Sequence, residues 1–183
     1  MAKVHVLTPG YVGGRVASTV SLIETEKALV VVDPGMVAST ARILDPIREL
    51  GHVPEEVTDV IVSHHHPDHT INIALFPNAR VHDHWAYYEA DVWTSRPAEG
   101  FEVAPGITLW ETPGHTPQDI TTIVETDEGT VALTHLWWHQ DGPAEDPYAT
   151  DPEALIRGRE RVLAVADLIV PGHGEVFRRD LLI

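Results

Sequence analysis

Cysteine is absent from all 183 residues, so neither a disulfide framework nor thiolate chemistry is open to the chain, and any metal must be held by nitrogen and oxygen. That removes thiol proteases and zinc fingers. Basic residues are few: Lys and Arg total 12 against 28 Asp and Glu, a net charge of -16. Such a balance repels polyanions and leaves no broad basic track, so a nucleic-acid partner is not expected. No stretch reaches the roughly 18 apolar residues of a membrane helix. The start, M-A-K-V-H-V-L-T-P-G, lacks the continuous apolar core of a signal peptide. The expectation is a cytoplasmic protein with no membrane partner. At 43% hydrophobic content the chain can build one core, and residues 1–183 read as a single domain.

The patterning predicts two strand-rich halves, each closed by helix and loop. Val4 to Leu7, Ser18 to Ile23 and Ala28 to Val32 read as strands, the last running into Asp33-Pro34-Gly35. Helical spacing follows over residues 38 to 50, with Pro46 kinking or restarting the helix and Gly51 stopping it. Val57 to Val62 is a strand, and residues 79 to 83, 107 to 111, 120 to 125 and 130 to 134 read as four more. Asp151-Pro152-Glu153 carries the signature of a helix start. Leu155, Ile156, Val162, Leu163 and Ala166 give that helix an apolar face. A last strand, Leu168 to Val170, runs into Pro171-Gly172-His173-Gly174.

The densest chemistry lies in I-V-S-H-H-H-P-D-H-T, residues 61 to 70. Just past a strand the backbone is extended, so His64 and His66 point to one side while His65 points away. Asp68 and His69 follow on a turn. His64 and His66 suit one ion, Asp68 and His69 a second. Two ligands are too few for a catalytic zinc, which usually has three plus water. The remainder must come from elsewhere: His115 in P-G-H-T, His173 in P-G-H-G, and His135 at the end of a strand. His5, His52, His65, His82, His84 and His139 read as ordinary core or surface histidines.

These residues resemble a known family. V-V-D-P-G with Asp33, then H-x-H-x-D-H at 64 to 69, P-G-H-T and P-G-H-G match the metallo-β-lactamase fold in order and span nearly the whole chain. The tail R-E-R-V-L-A-V-A-D-L-I-V-P-G-H-G-E-V-F and L-T-P-G-Y near the start are similar to one branch of small members of that family. The resemblance implies a four-layer αβ/βα sandwich of the α/β class with a two-metal site at one edge. His64, His66 and His115 would bind one ion and Asp68, His69 and His173 the other. Asp33 would hold the loop beneath the site without touching a metal. Family members usually carry Gly-Asp where this chain has Thr134-His135, and that aspartate bridges the ions. An imidazole's two nitrogens diverge and cannot span metals about 3.5 to 4 Å apart. His135 therefore serves one ion or none.

The chemistry implied is hydrolysis of a small ester, thioester, lactone or amide, carried by metal-bound water at a pKa of roughly 7 with Asp68 steering protons. Zinc is the expected metal, one or two ions per chain, with iron or manganese as alternatives. The same machinery suits a phosphodiesterase or endoribonuclease, a mononuclear iron oxygenase, or a weakly active metal-binding protein. Tyr11, Trp137 and Trp138 are candidate walls of a pocket for a small-molecule substrate. The exposed aromatics allow a homodimer.

Overall fold

The apolar runs pair into two sheets in the computed structural model, which describes residues 1–182. The first sheet takes its seven strands in chain order. They are β1 (Lys3–Thr8), β2 (Val20–Glu24), β3 (Leu29–Val32), β4 (Asp59–Ile61), β5 (Arg80–His82), β6 (Ala86–Glu89) and β7 (Val92–Ser95). Helix α1 (Ala41–Glu49) covers its outer face, and the one-turn α2 (Pro67–Thr70) follows β4. The second sheet joins β8 (Glu102–Ala104), β9 (Ile107–Glu111), β10 (Ile120–Thr126), β11 (Gly129–Thr134), β12 (Leu168–Pro171) and β13 (Phe177–Arg178) in order, from one edge to the other. Helix α3 (Pro152–Leu163) lies on its outer face.

Side-chain alternation decides the layers. In β3, Val30 and Val32 point into the cluster between the sheets, while Leu29 and Val31 point out beneath α1 to meet Ile43 and Ile47. An all-apolar strand is what burial on both faces demands. The second sheet repeats the device: Val131, Leu133 and Val170 face inward, and Ala132 and Ile169 face out against Leu155 and Val162 of α3. Each of these buried valine, leucine and isoleucine side chains contributes about 1.5 to 3 kcal/mol. The layers are helix, sheet, sheet, helix, the sandwich expected.

Asp151 starts α3 as the sequence predicts, its carboxylate accepting from the Ala154 N–H at 2.9 Å with Pro152 behind it. Helix α1 runs through Pro46 without a restart, because Ile43 and Ile47 on either side are both buried. One expectation is corrected: Ile156 is more than half exposed. Leu155, Gly158 and Val162 define the buried stripe, and a residue one step after Leu155 turns about 100° away from it. The hairpin of β6 and β7, together with β8 and β13, is not foreseen from the sequence. Its turn at Ala90 has φ 51° but none of the glycine or asparagine that usually marks such a position.

At the end of the first sheet remote from the histidine-rich loop, Asp59 is fully buried and accepts from Thr58 Oγ1, Arg80 Nε and His82 Nε2 at 2.8 to 2.9 Å. Burial pushes its carboxyl up, but the bonds from His82 and Thr58 and the charges of His82 and Arg80 outweigh that and hold it below the ordinary range. A depressed carboxylate stabilises the fold above its unfolded pKa and loses that contribution as pH falls through the folded one. Asp59→Asn should therefore cost roughly 2 kcal/mol in urea unfolding of metal-free protein at pH 7. The gap from the parent should narrow below about pH 4; a gap independent of pH would show that Asp59 acts without its charge.

Candidate metal centre

The candidate residues sit where strands end. Asp33 follows β3, His64 follows β4, His135 follows β11 and His173 follows β12, while His115 lies in the loop between β9 and β10. Short bonds staple the two sheets at this edge: Ile120 N donates to Ser63 O, and Thr19 N to Gly172 O. The β3 loop passes so close to α2 that a Cβ on Gly35 would overlap the Asp68 carbonyl, and only glycine fits there.

The outer nitrogens fix the rings. A carboxylate or carbonyl oxygen only accepts, so a ring nitrogen bonded to one must carry the hydrogen. His69 Nδ1 donates to Asp33 Oδ2 at 2.9 Å, His115 Nδ1 to Asp146 Oδ2 at 2.7 Å, and His173 Nδ1 to the Ala17 carbonyl at 2.9 Å. Ser63 gives its hydroxyl hydrogen to Asp33 Oδ2, so its oxygen accepts from His64 Nδ1 at 3.0 Å. In their neutral form these four rings carry bare Nε2 atoms, all turned inward. Asp33 holds this arrangement with φ at 51°, a conformation that costs a non-glycine residue about 1 to 3 kcal/mol, and its other oxygen accepts from Ser63 N.

Inside, the ligand atoms of His64, His66 and His115 lie within 4.8 Å of one another, and so do those of Asp68, His69 and His173. His66 Nδ1 meets His64 Nε2 at 3.0 Å and His115 Nε2 at 3.1 Å. Those three nitrogens share at most one hydrogen, so lone pair faces lone pair. Asp68 Oδ2 lies 3.5 Å from His69 Nε2 and 3.6 Å from His173 Nε2, and His69 Nε2 is buried without a hydrogen-bond partner. Lone pairs converging in this way fit a cation at each cluster. Burial is the largest cause that lowers the pKa of His64, His115 and His173, and the neighbouring histidines add to it. Those rings are neutral near pH 7, as metal binding requires.

His135 sits in the middle. Its centroid is 4.2 Å from His115, 4.5 Å from His64, 4.9 Å from His69 and 5.0 Å from His173. Nε2 approaches His173 Nε2 at 3.1 Å, and Nδ1 is buried without a partner. Burial pushes its pKa well below the ordinary value. Other histidines lie apart as expected: His65 leans onto Asp83, His82 onto Asp59, and His5 and His52 onto Glu24.

A cleft of about 460 Å³ opens above the clusters, bordered by His66, Asp68, Val12, Val16, Trp138 and Tyr148. Trp138 borders this cleft. Trp137 does not: it is buried in the core beneath α3 against Phe177. Tyr11 turns away under Arg15 and leaves the wall to Val12 and Val16 of the same loop. Asp146 and Tyr148 went unnoticed in the sequence, since an aspartate and a tyrosine in a Pro-rich loop carry no spacing signal. Asp119 was also missed; burial pushes it up to about 7 although Thr116 donates to it twice.

The metallo-beta-lactamase superfamily profile matches residues 13–179. The chain belongs to that superfamily. Metallo-beta-lactamase domain-containing protein 1 of Xenopus laevis is 35% identical, the match covering 96% of this chain and 81% of that protein. Among solved structures, Bacillus thuringiensis AiiA with N-decanoyl-L-homoserine bound at the active site superposes with a TM-score of 0.68 at 22% identity, covering 94% of this chain and 92% of that one. TTHA1623 in a di-iron-bound form gives 0.70 at 21% identity, covering 95% and 96%. This chain is thus a metallo-β-lactamase-fold metallohydrolase.

Within this superfamily fold, His135 constrains its neighbours. A Cβ on Gly172 would stand 2.4 Å from His135 Cδ2, and the surrounding imidazoles leave that ring nowhere to go. Gly172→Ala should cost about 1 to 3 kcal/mol in denaturation of metal-free protein. His135→Ala in the same chain should recover most of it, and an equal cost in both backgrounds would show that the ring is not the obstacle.

Proposed function

We propose that the protein hydrolyses a small, uncharged ester, thioester, lactone or amide with one or two divalent ions, zinc first and iron or manganese as alternatives. His64, His66 and His115 would hold one ion, and Asp68, His69 and His173 the other. The observation that carries the reading is the set of bare nitrogens turned inward with their hydrogens pinned outward. When bound, a divalent metal supplies a Lewis acid and lowers the pKa of water to roughly 7.

The chain's own residues do the rest. Asp68 borders both the cleft and the cluster, so its carboxylate is placed to take the proton lost by the attacking water and pass it to the leaving oxygen, sulfur or nitrogen. Val12, Val16, Trp138 and Tyr148 bind the apolar part and exclude water. No lysine or arginine is among the described residues lining the cleft, which favours a neutral acyl substrate over a phosphodiester and a small molecule over nucleic acid. That AiiA binds N-decanoyl-L-homoserine in this fold supports a small acyl compound rather than nucleic acid.

No helix among the described residues is long and apolar enough to cross a membrane. The cytoplasmic setting, and a homodimer through exposed Trp85, Val92 and Trp93, belong to this proposal.

Elemental analysis of protein prepared without added metal or chelator, paired with ester and lactone assays, tests the reading. One or two ions per chain and turnover of a neutral ester are expected. Removing the metal should lower kcat/KM at least 10³-fold, and zinc should restore it. Protein that holds no metal even after reconstitution would end the proposal. His135→Asp should raise the ion count towards two and increase activity; an unchanged count would mean that His135 does not limit the second ion.

A further inference from the structure

Asp146, in the loop between β11 and α3, is buried, and three hydrogens meet at its carboxylate. Oδ2 accepts from His115 Nδ1 at 2.7 Å and from Trp138 Nε1 at 3.1 Å. Oδ1 accepts from the backbone N–H of Tyr148 at 2.9 Å. Tyr148 stacks on Trp138, with ring centroids 5.8 Å apart and planes 11° from parallel. One carboxylate therefore aims a ring of the cluster, clamps the indole of the cleft wall and fixes the residue whose ring backs that indole.

We propose that Asp146 is a positioning residue that ties metal loading at His115 to the Trp138–Tyr148 wall, and that this wall selects a flat, uncharged group on the substrate. The proposal rests on the hydrolase reading. A stacked indole and phenol offer a rigid face at little entropic cost, and planar apolar groups settle on such faces. Val12, Val16 and Pro117 extend the apolar lining. With no cation among the described lining residues and a net charge of -16, an anionic group would gain nothing from the wall.

The link is chemically specific. A neutral histidine holding a metal through Nε2 must keep its hydrogen on Nδ1, and a carboxylate there enforces that tautomer while raising the basicity of the ligating nitrogen. When metal draws electrons from the ring, Nδ1–H becomes more acidic and pulls harder on Oδ2, the atom that also holds the indole. Asparagine cannot replace this. With its oxygen towards His115 and Trp138, its NH₂ meets the Tyr148 N–H; flipped, its NH₂ meets both ring donors. Either way a donor loses its acceptor.

The test is a zinc titration of metal-free, ¹⁵N-labelled full chain, followed through the indole N–H signals of its five tryptophans. Trp138→Leu identifies the Trp138 signal by its loss. In the parent, that signal should move as zinc saturates, although the indole nitrogen is no ligand. In Asp146→Asn, zinc affinity should fall about 10-fold or more, and the Trp138 signal should no longer follow zinc. Trp138→Leu should raise KM for a phenyl ester at least fivefold more than for the matching ethyl ester, while zinc affinity stays within about threefold of the parent.

Zinc that saturates the parent without moving the Trp138 signal would overturn the proposal, and so would an Asp146→Asn variant that binds zinc like the parent with the signal still following. If Asp146→Asn does not fold, the parent titration and Trp138→Leu decide. Equal KM changes for the two esters would overturn the selection of a flat group. Turnover of no ester, with Trp138 still following zinc, would sink the hydrolase reading and uphold the link.

Discussion

The structure turns on where the hydrogens of four imidazoles point. Each of His64, His69, His115 and His173 donates from Nδ1 to an oxygen outside the cluster, and each, as a neutral ring, is left with a bare Nε2 inside it. Packing lone pairs against one another in a buried space is unfavourable in itself. The outer acceptors impose it nonetheless: Asp33 and Asp146 supply carboxylates, Ser63 relays to Asp33, and Ala17 supplies a carbonyl. A cation turns that cost into binding energy, and the same lattice of outer bonds holds the rings in place before it arrives.

Much of the surrounding fold serves these outer bonds. Asp33 must leave β3 in a left-handed conformation to reach Ser63 and His69 together. Gly35 must lack a Cβ so that its loop can lie against Asp68. The Ala17 carbonyl is presented by the segment before β2, and the Thr19 hydroxyl next to it bonds both N–H and C=O of Gly174, which ties the first sheet to the loop carrying His173. The sandwich brings together strand ends from both sheets, so segments that are far apart in sequence converge on a space a few ångströms wide. Catalytic geometry of this kind needs rigid elements beneath it, and the double-sided burial of β3, β4 and β12 provides them.

The sequence makes the inner half of this arrangement legible and hides most of the outer half. His64, His66, Asp68 and His69 declare themselves by spacing at a strand end, and His115 and His173 by short Gly-containing turns, because ligand type and local backbone are both written in consecutive residues. Asp33 is visible only through the family pattern. Asp146 and Asp119 are single acidic residues in a chain with 28, and nothing local marks them as residues that fold inward. The tryptophan pair shows the same limit. Trp137 and Trp138 are adjacent and chemically alike, yet one is core and the other is wall, a choice made by the direction in which the chain leaves β11. Nine strands read from the sequence match the structure with ends shifted by up to two residues in either direction, since tertiary pairing rather than apolar content fixes where a ladder stops. The β6–β7 hairpin escaped because its turn uses Ala90 where glycine would have signalled it.

His135 is the point at which family pattern and local chemistry conflict. With its hydrogen on Nε2, it donates to His173 Nε2 and occupies the lone pair a second ion would need, and its own Nδ1 is left buried without a donor. With its hydrogen on Nδ1, that N–H has no acceptor, and two bare Nε2 atoms face each other at 3.1 Å. Neither tautomer satisfies the site alone, and protonation is opposed by burial. An ion that takes Nε2 of either ring relieves the second arrangement and not the first. The histidine therefore couples its own tautomer to ion loading, which a bridging carboxylate, having no hydrogen to place, would not do.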